Sequence, residues 1–202
     1  MMNKHDLIKN ILKLEWEMFS TVRNRGGKAS CQEDYRTFAI MRTAQLTVWS
    51  QTILASYFLD LLEAKEMGRN LMTEKYARMM EMTHPDEYEQ IKGLLPEVSA
   101  GAENMAKGIL AVFSLWEEDL TAQYPKVREH GRHRKSEGNA DGSVSAEDYQ
   151  YCEFLTYSER TLQLILEFIG ERPKHNLYME ELENMAKAYG YKNLEEAERA
   201  LE

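Results

Sequence analysis

The sequence contains few of the residues that crosslink a chain or interrupt its helices. Among its 202 residues are only four prolines, eleven glycines and two cysteines. Cys31 and Cys152 have no framework spacing, which excludes a disulfide-stabilised fold and is typical of reduced thiols in a cytoplasmic protein. Little room is left for a long linker, so we expect a single all-helical domain over residues 1–202.

Long apolar runs and an excess of positive charge are also absent. No window approaches the roughly 18 apolar residues that cross a bilayer, and charges interrupt the amino-terminal segment, so no secretion signal is predicted. The formal net charge is −9, whereas binding to nucleic acid or to an anionic membrane surface depends on clustered cations. We therefore expect no nucleic-acid partner, no membrane partner and a cytoplasmic location.

Apolar residues recur with helical spacing along most of the chain, and strand alternation is nearly absent. Helices are expected over residues 6–22, 31–67, 71–83, 102–123, 146–169, 177–189 and 194–201, with a short one after Pro85. The 31–67 helix is long against the usual three or four turns, so a kink or break is expected near Ser50 and Gln51. The predicted fold is all-α: a bundle of about five to six longer helices with short carboxy-terminal helices packed on it.

Two segments favour surface structure over a cofactor site. Residues 128–143 are rich in basic residues and contain no large apolar side chain, which predicts a mobile surface loop. Glu81 and His84 form one Glu-x-x-His pair, but di-iron bundles need two such motifs and two further carboxylates. No metal site is therefore predicted, and no P-loop, dinucleotide fingerprint or nucleophile elbow specifies a cofactor.

Polar residues form a narrow stripe on the 31–67 helix, which is otherwise mostly apolar. On a helical wheel the stripe consists of Arg42, Gln45, Trp49, Thr52, Ser56 and Asp60. A helix that is apolar on its other sides is buried, so the stripe is expected to face the interior or a cleft. Each buried polar group there needs a partner, because an unpaired one costs several kcal/mol, roughly 2 to 7 by transfer estimates.

Glu15 lies on the apolar stripe of the first helix, where a carboxylate is rarely left unpaired. A short loop between antiparallel helices would bring Glu15 close to Arg42. Two interpretations stay open: a buried ion pair that only fixes helix register, or a charged pair that faces a ligand. In the second, Arg42 would hold an anionic group, and Glu15 or Asp60 would act as a base.

The segment NRGGKASCQEDY, residues 24–35, is either a site or a turn. As a site, its double glycine would let backbone N–H groups converge on an anion, and Cys31 would lie near the positive end of a helix dipole, where thiols are more reactive. As a turn, it would supply a helix cap and a packing thiol, which the lack of a nearby histidine base favours. Asn24 and Gln32 are ambiguous in the same way.

Several segments together resemble a known family: EWEMF, NRGGKASCQ, FAIMR, GRNLMTEKYARMM, THP and LTYS. They resemble a family of uncharacterised bacterial and archaeal proteins of about this length, catalogued as a domain of unknown function. The resemblance covers nearly the whole chain. It implies no established reaction, so it transfers no catalytic residue, substrate or cofactor.

Two functions of different classes are compatible with these patterns. The first is a small-molecule-binding protein, enzymatic or not, with an internal polar pocket for a small anionic molecule on the 31–67 helix. Its ligand-binding residues would be Arg42, Gln45, Trp49, Ser56, Asn24 and Gln32, and its weak catalytic candidates are Glu15, Cys31 and Asp60. The second is a non-catalytic interaction or regulatory subunit, in which the stripe is only structural and a partner protein binds an exposed helical face or the 128–143 segment.

Overall fold

Helices make up the regular secondary structure of the chain, as predicted. The structure is a computed structural model that describes residues 2–23, 27–132 and 144–201. Within these ranges there are eleven α-helices, two 3₁₀ helices (Ser30–Gln32 and Lys92–Leu94) and no strand. The α-helices are, in chain order, α1 (Lys4–Phe19), α2 (Tyr35–Val48), α3 (Gln51–Glu66), α4 (Leu71–Thr83), α5 (Pro85–Ile91), α6 (Ala100–Gln123), α7 (Pro125–Glu129), α8 (Ala146–Phe154), α9 (Glu159–Gly170), α10 (Leu177–Ala188) and α11 (Leu194–Ala200).

Side-chain caps determine where most of these helices begin. An Asn, Asp or Ser side chain accepts a hydrogen bond from the backbone N–H three residues later at nine of the eleven helix starts. The capping residues are Asn3, Asp34, Ser50, Asn70, Ser99, Ser145, Ser158, Asn176 and Asn193. Each supplies an acceptor to an N–H that has no partner inside the helix. The other two helices, α5 and α7, begin at Pro85 and Pro125, which have no N–H to satisfy.

The predicted 31–67 helix is divided into α2 and α3, with the break at the expected position. Trp49 and Ser50 have extended backbone, and Ser50 caps α3 by accepting a hydrogen bond from the N–H of Ile53 at 3.2 Å. The first of the two helices begins at Tyr35 rather than at residue 31, because Asp34 provides its cap and the preceding residues form a separate 3₁₀ turn. The predicted break is confirmed, and the predicted start was four residues too early.

The predicted 146–169 helix is also divided, and this break was not expected. The α8 helix ends at Phe154, and α9 begins after Ser158, whose hydroxyl caps the N–H of Thr161 at 3.2 Å. The hydroxyl of Thr156 donates to the carbonyl of Glu153 at 2.7 Å, which satisfies one carbonyl at the end of α8. Serine and threonine compete for backbone hydrogen bonds in this way, and they replace the glycine or proline signal that the prediction relied on.

The segment predicted as a loop over 128–143 begins inside a helix. Arg128 lies in α7 and forms an ion pair with Glu117 of α6, with only about a tenth of each side chain exposed. The Nη1 group of Arg128 donates to the carbonyl of Arg132 at 2.6 Å. Only residues 128 and 129 of the predicted loop are helical; residues 130–132 lie outside any helix, and residues 133–143 lie outside the described ranges.

The core lies between α1, α3, α6 and α9, which carry most of its fully buried side chains. These include Ile11, Leu54, Leu61, Ile109, Leu162 and Ile165. The α2 helix packs on α1 and α10, and α4 packs on α1 and α8, so both helices line the polar centre described below. The short carboxy-terminal helix α11 packs on α7 and α10 around a second, smaller apolar cluster, as predicted.

The longest helix, α6, has 24 residues and runs along one side of the core. Its length is enough to cross a bilayer, but its sequence is not apolar enough, and no helix in the described ranges meets both requirements.

Candidate functional site

Glu15 and Arg42 meet in the interior, as the stripe analysis predicts. The Nε group of Arg42 donates to Oε2 of Glu15 at 2.8 Å, and Nη2 donates to Oε1. The hydroxyl of Tyr57 donates to the same Oε1 at 2.7 Å. Glu15 is completely buried, so this paired geometry is what makes its charge tolerable in the interior.

A second carboxylate, Glu153 of α8, balances the charge at the centre. Its Oε1 accepts hydrogen bonds from Nη1 of Arg42 and from the hydroxyl of Tyr157, both at 2.8 Å, and its Oε2 accepts one from Nζ of Lys75. Burial alone would raise the pKa of Glu153, but Arg42 and Lys75 outweigh it and hold that pKa well below its usual range. Two buried anions therefore face two buried cations. We call this set the buried network: Glu15, Arg42, Tyr57, Lys75, Glu153 and Tyr157.

Two tyrosines serve the buried network as neutral donors. Burial, reinforced by the neighbouring carboxylates, raises the pKa of both Tyr57 and Tyr157 well above its ordinary value. Their ring centroids lie 4.5 Å apart, so the rings also pack against each other. A tyrosine that cannot ionise donates its proton to a carboxylate at every physiological pH, and this keeps the network fixed.

Arg42 uses most of its donors inside the protein. Burial alone would lower the pKa of Arg42, but Glu15 and Glu153 raise it well above the ordinary value. Four of the five N–H groups of a guanidinium are used, by two bonds to Glu15, one to Glu153 and one to Gln45. Internal partners therefore hold Arg42 in place, and one N–H group, on Nη2, is left for a further partner.

Arg42 and Lys75 also line an open cleft of about 730 Å³, which we call the aromatic cleft. Its lining consists of Phe19, Cys31, Asp34, Thr37, Phe38, Met41, Arg42, Met72, Lys75, Tyr76, Arg132 and Tyr149. The Nζ atom of Lys75 lies 3.5 Å from the ring centroid of Tyr149, and the guanidinium carbon of Arg132 lies 4.6 Å from the same centroid. Two cations thus converge on one ring in a cleft whose other walls are mostly apolar.

The residues predicted at the rim have different places. Cys31 is exposed and lines the aromatic cleft, where no histidine of the described ranges accompanies it. Gln32 is buried instead: its amide donates to the carbonyls of Phe19 and Val22 at 2.8 and 2.9 Å, and its Oε1 accepts from the N–H of Ala29 at 2.9 Å. Gln32 therefore ties the following turn to the end of α1. Asn24 lies outside the described ranges.

The rest of the predicted stripe is divided by the break at Trp49. Trp49 is only 5% exposed, and its ring lies 6.4 Å from that of Phe113 and 6.2 Å from that of Phe168, so it packs in the core rather than in the aromatic cleft. Ser56 is buried, with its hydroxyl 2.8 Å from that of Thr161. Thr52 is exposed, contrary to expectation, because the break changes the phase of the stripe.

Asp60 lies in a second open cleft of about 820 Å³, which we call the polar cleft. Its Oδ2 accepts hydrogen bonds from the N–H of Ser158 at 3.1 Å and from the hydroxyl of Thr161 at 2.7 Å, so it anchors the start of α9. The lining of the polar cleft consists of Asp60, Glu63, Arg69, Leu71, Arg78, Pro96, Glu97, Val98, Ser99, Ala102, Leu155, Thr156, Tyr157, Ser158 and Glu159.

Sequence reasoning missed Lys75 and Glu153, although a signal for both was present. Lys75 follows Met72 by three residues and precedes Met79 by four, which is core spacing on a helix. Glu153 lies four residues from both Tyr149 and Tyr157. A charge on an apolar helical face is the signal that identified Glu15, and it applies equally to these two residues.

The described ranges contain no group of three or more His, Cys, Asp or Glu side chains arranged to hold a metal ion. His84, of the Glu-x-x-His pair, is exposed at the end of α4, and its Nδ1 lies 3.0 Å from the hydroxyl of the adjacent Thr83.

Comparison with known proteins connects this geometry with a family. The model of the family described as "Protein of unknown function (DUF4125)" matches residues 5–199. The chain belongs to the DUF4125 family. In this DUF4125 protein, the segments EWEMF, FAIMR, GRNLMTEKYARMM and LTYS supply Glu15, Arg42, Lys75 and Tyr157 to the buried network. Neither a curated protein nor a solved structure matches the chain, so its function is argued from the site alone.

Proposed function

We propose that this DUF4125 protein is a cytoplasmic binding protein for a small anionic molecule with an aromatic or apolar body, and that the ligand occupies the aromatic cleft. The observation that carries the proposal is the convergence of Lys75 and Arg132 on the ring of Tyr149. A concave, mostly apolar site with a few convergent polar groups is the usual form of a small-molecule site.

The donors available to the anionic group belong mainly to Lys75 and Arg132. An ammonium group has three N–H donors, and Lys75 uses one of them on Glu153. Arg132 is exposed, and in the described ranges the only hydrogen bond of its guanidinium is a long one of 3.5 Å to the carbonyl of Val144. Arg42, which also lines the cleft, retains one N–H on Nη2. Asp34 is the only acidic residue of the lining, and its carboxylate caps α2.

The buried network prepares the cleft for binding. Glu153 holds Lys75, and Glu15 with Glu153 holds Arg42, so neither cation has to be ordered when a ligand arrives. Fixed side chains reduce the entropy cost of binding, which is about 0.5–1.5 kcal/mol for each long side chain immobilised. Arg42 and Cys31 are two of the residues predicted for the pocket, and both line this cleft. Glu15 instead supports it from behind, and Trp49 and Ser56 pack elsewhere.

Calorimetric titration with matched small probes tests the proposal. We expect benzoate and phenyl phosphate to bind at least about 10-fold more tightly than the neutral benzyl alcohol or than inorganic phosphate, a difference of about 1.4 kcal/mol. Arg132→Gln and Phe38→Ala should each weaken benzoate binding by about 5- to 10-fold, because they remove a cation or an aromatic wall. Equal affinity for benzoate and benzyl alcohol would overturn the proposal.

Arg36→Gln is the matched control for Arg132→Gln. Arg36 is an exposed cation on α2 that does not line the cleft, so its loss should leave benzoate affinity unchanged. The alternative function, a non-catalytic interaction subunit, leads to a different result. In that case no aromatic anion binds at millimolar concentration, and gentle affinity purification from native cells yields a stoichiometric protein partner.

A further inference from the structure

Arg78 of α4 is a buried cation without a carboxylate partner. Arg78 is only 9% exposed, and no carboxylate within residues 2–23, 27–132 and 144–201 forms an ion pair with it. Its Nη2 group donates to the carbonyl of Pro96 at 2.7 Å, and its buried Nε has no hydrogen-bond partner there. Buried charges in proteins are normally paired, because an isolated one carries a desolvation cost of several kcal/mol.

The fold places this guanidinium in the wall of the polar cleft. Arg78 and the Pro96 carbonyl that holds it both belong to the lining. Two longer helices also begin at this cleft, since Ser99 caps α6 and Ser158 caps α9. Their positive ends already have anionic partners: the hydroxyl of Ser99 donates to Glu159, and the N–H of Ser158 donates to Asp60. The cation that still lacks an anion is therefore Arg78.

Negative charge dominates the exposed edge of the same cleft. Glu63 and Glu97 are exposed lining residues without an ion-pair partner in the part of the chain that the structure describes. The other cation of the lining, Arg69, is neutralised by Glu74, to which it donates two parallel hydrogen bonds of 2.8 and 2.7 Å. The polar cleft thus combines an unpaired cation in its buried wall with unpaired carboxylates at its edge.

We propose that the polar cleft binds a small zwitterion whose carboxylate or phosphate pairs with Arg78 and whose ammonium group lies between Glu63 and Glu97. A simple anion would satisfy Arg78 but would be repelled by the acidic edge. A simple cation would satisfy the edge and leave Arg78 unpaired. A molecule with both charges, separated by a short chain, complements both parts of the cleft.

Matched probes of equal length test the zwitterion requirement by calorimetry. We expect 5-aminopentanoate to bind at least about 10-fold more tightly than pentanoate or pentylamine, a difference of about 1.4 kcal/mol. Phosphoethanolamine in the same titration determines whether carboxylate or phosphate is the preferred anion. Equal affinity for 5-aminopentanoate and pentanoate would overturn the proposal, as would the absence of binding by both zwitterions at about 10 mM.

Variants at each end of the cleft locate the site. Arg78→Gln should weaken 5-aminopentanoate binding at least about 10-fold while leaving the melting temperature unchanged or higher, because it removes an unpaired buried charge. The double variant Glu63→Gln and Glu97→Gln changes only exposed positions and should abolish the preference for 5-aminopentanoate over pentanoate. If either variant bound 5-aminopentanoate like the wild type, the proposal would be overturned. If Arg78→Gln does not fold, the double variant decides the test.

Glu66→Gln is the matched control for the double variant. Glu66 is exposed at the end of α3, outside the lining, so the variant should bind 5-aminopentanoate like the wild type. Benzoate, the probe for the aromatic cleft, should not compete with 5-aminopentanoate. The two proposals can therefore fail independently of each other.

Discussion

The two clefts differ in how the protein neutralises their cations. In the aromatic cleft, Arg42 and Lys75 are paired with the carboxylates of Glu15 and Glu153, and Arg132 forms no ion pair within the described ranges. In the polar cleft, Arg78 is also buried, but within the described part of the chain it bonds only to the Pro96 carbonyl. The comparison shows that the number of cations in a cleft says little about its need for an anion. What matters is how much positive charge the surrounding residues leave uncompensated.

Glu153 connects the two regions. Its carboxylate accepts hydrogen bonds from Arg42 and Lys75, which line the aromatic cleft, and from Tyr157, which lines the polar one. A ligand in either cleft would therefore lie beside a residue bonded to the same carboxylate. The two clefts differ in the charges that line them, but lining residues of both donate hydrogen bonds to Glu153.

The largest expected effect follows from removing the charge of the Glu153 carboxylate. Glu153→Gln leaves Arg42 and Lys75 with a single carboxylate, so the buried network acquires an uncompensated positive charge. We expect a loss of about 3–5 kcal/mol in the free energy of unfolding, measured by guanidinium denaturation at neutral pH.

Glu17→Gln is the control for that substitution. Glu17 forms an exposed ion pair with Lys65, so its loss should cost no more than about 1 kcal/mol. If both variants lose the same stability, pairing in the interior is not what distinguishes the clefts.

The two cysteines report on the aromatic cleft and on the protein interior. Burial raises the pKa of Cys152 to about 12, whereas Cys31 is exposed in the aromatic cleft. Since the thiolate is the reactive form, we expect iodoacetamide to alkylate Cys31 at least about 100-fold faster than Cys152 in the native protein, measured by peptide mass spectrometry.

Ligands sharpen the cysteine experiment. Bound benzoate should slow the alkylation of Cys31, while 5-aminopentanoate in the polar cleft should not. Denaturation should bring the rates at Cys31 and Cys152 together. Equal rates in the native state would show that Cys152 is not sequestered as described.

Glu181 of α10 contrasts with Glu153. Arg42 lowers the pKa of both carboxyl groups, but only the pKa of Glu153 ends below its ordinary value. Burial raises the pKa of Glu181 to about 8; Arg42 opposes this shift and Glu153 adds to it. The folded protein therefore keeps this proton at pH values where the unfolded chain, with an ordinary pKa of 4.5, has lost it. Stability should fall as pH rises between these two values and level off above the higher one.

Glu181→Gln should remove this dependence. Between about pH 5.5 and about pH 8.5 we expect the wild type to lose on the order of 3 kcal/mol relative to the variant, measured by urea denaturation. Glu153 stays ionised in the folded protein throughout this range because its pKa is held well below it. Glu66→Gln, at an exposed position, should follow the wild-type profile. If the stability of Glu181→Gln changed with pH in parallel with that of the wild type, the raised pKa of Glu181 would be contradicted.

The smallest expected effect separates the two halves of the polar stripe. Ser56→Ala removes a buried hydrogen bond to Thr161 beside the polar cleft and should cost about 1 kcal/mol. Thr52→Ala changes an exposed position and should stay within about 0.5 kcal/mol, as determined by thermal denaturation. If both variants lost the same stability, Ser56 and Thr52 would not differ in burial, and the break between α2 and α3 would not have turned Thr52 toward solvent.

The sequence was sufficient for features that depend on nearby residues. Helical periodicity predicted the all-α fold, and excessive length predicted the break at Ser50. The meeting of Glu15 and Arg42 was predictable because the two helices that carry them follow each other along the chain. For such features, an isolated charge on an apolar face and a local chain geometry are enough.

Features that join distant helices were not predictable in the same way. Glu153 is 111 residues from Arg42 and 78 from Lys75, so only the packing of α8 against α4 determines that they meet. The break before Ser158 was missed because its signal is a hydroxyl cap rather than a glycine or proline. The aromatic cleft depends on α4 and α8 as well as α2, so a wheel drawn for one helix could not reveal it.

The long sequence separation within the buried network also has a consequence for synthesis on the ribosome. Glu15, Arg42 and Lys75 emerge early, but a second carboxylate for the two cations arrives only when residue 153 has been translated. Until then, collapse of the first four helices would trap a surplus positive charge in an apolar interior. The nascent amino-terminal half should therefore stay loosely organised and wait for α8, so that folding is completed late and in one cooperative step.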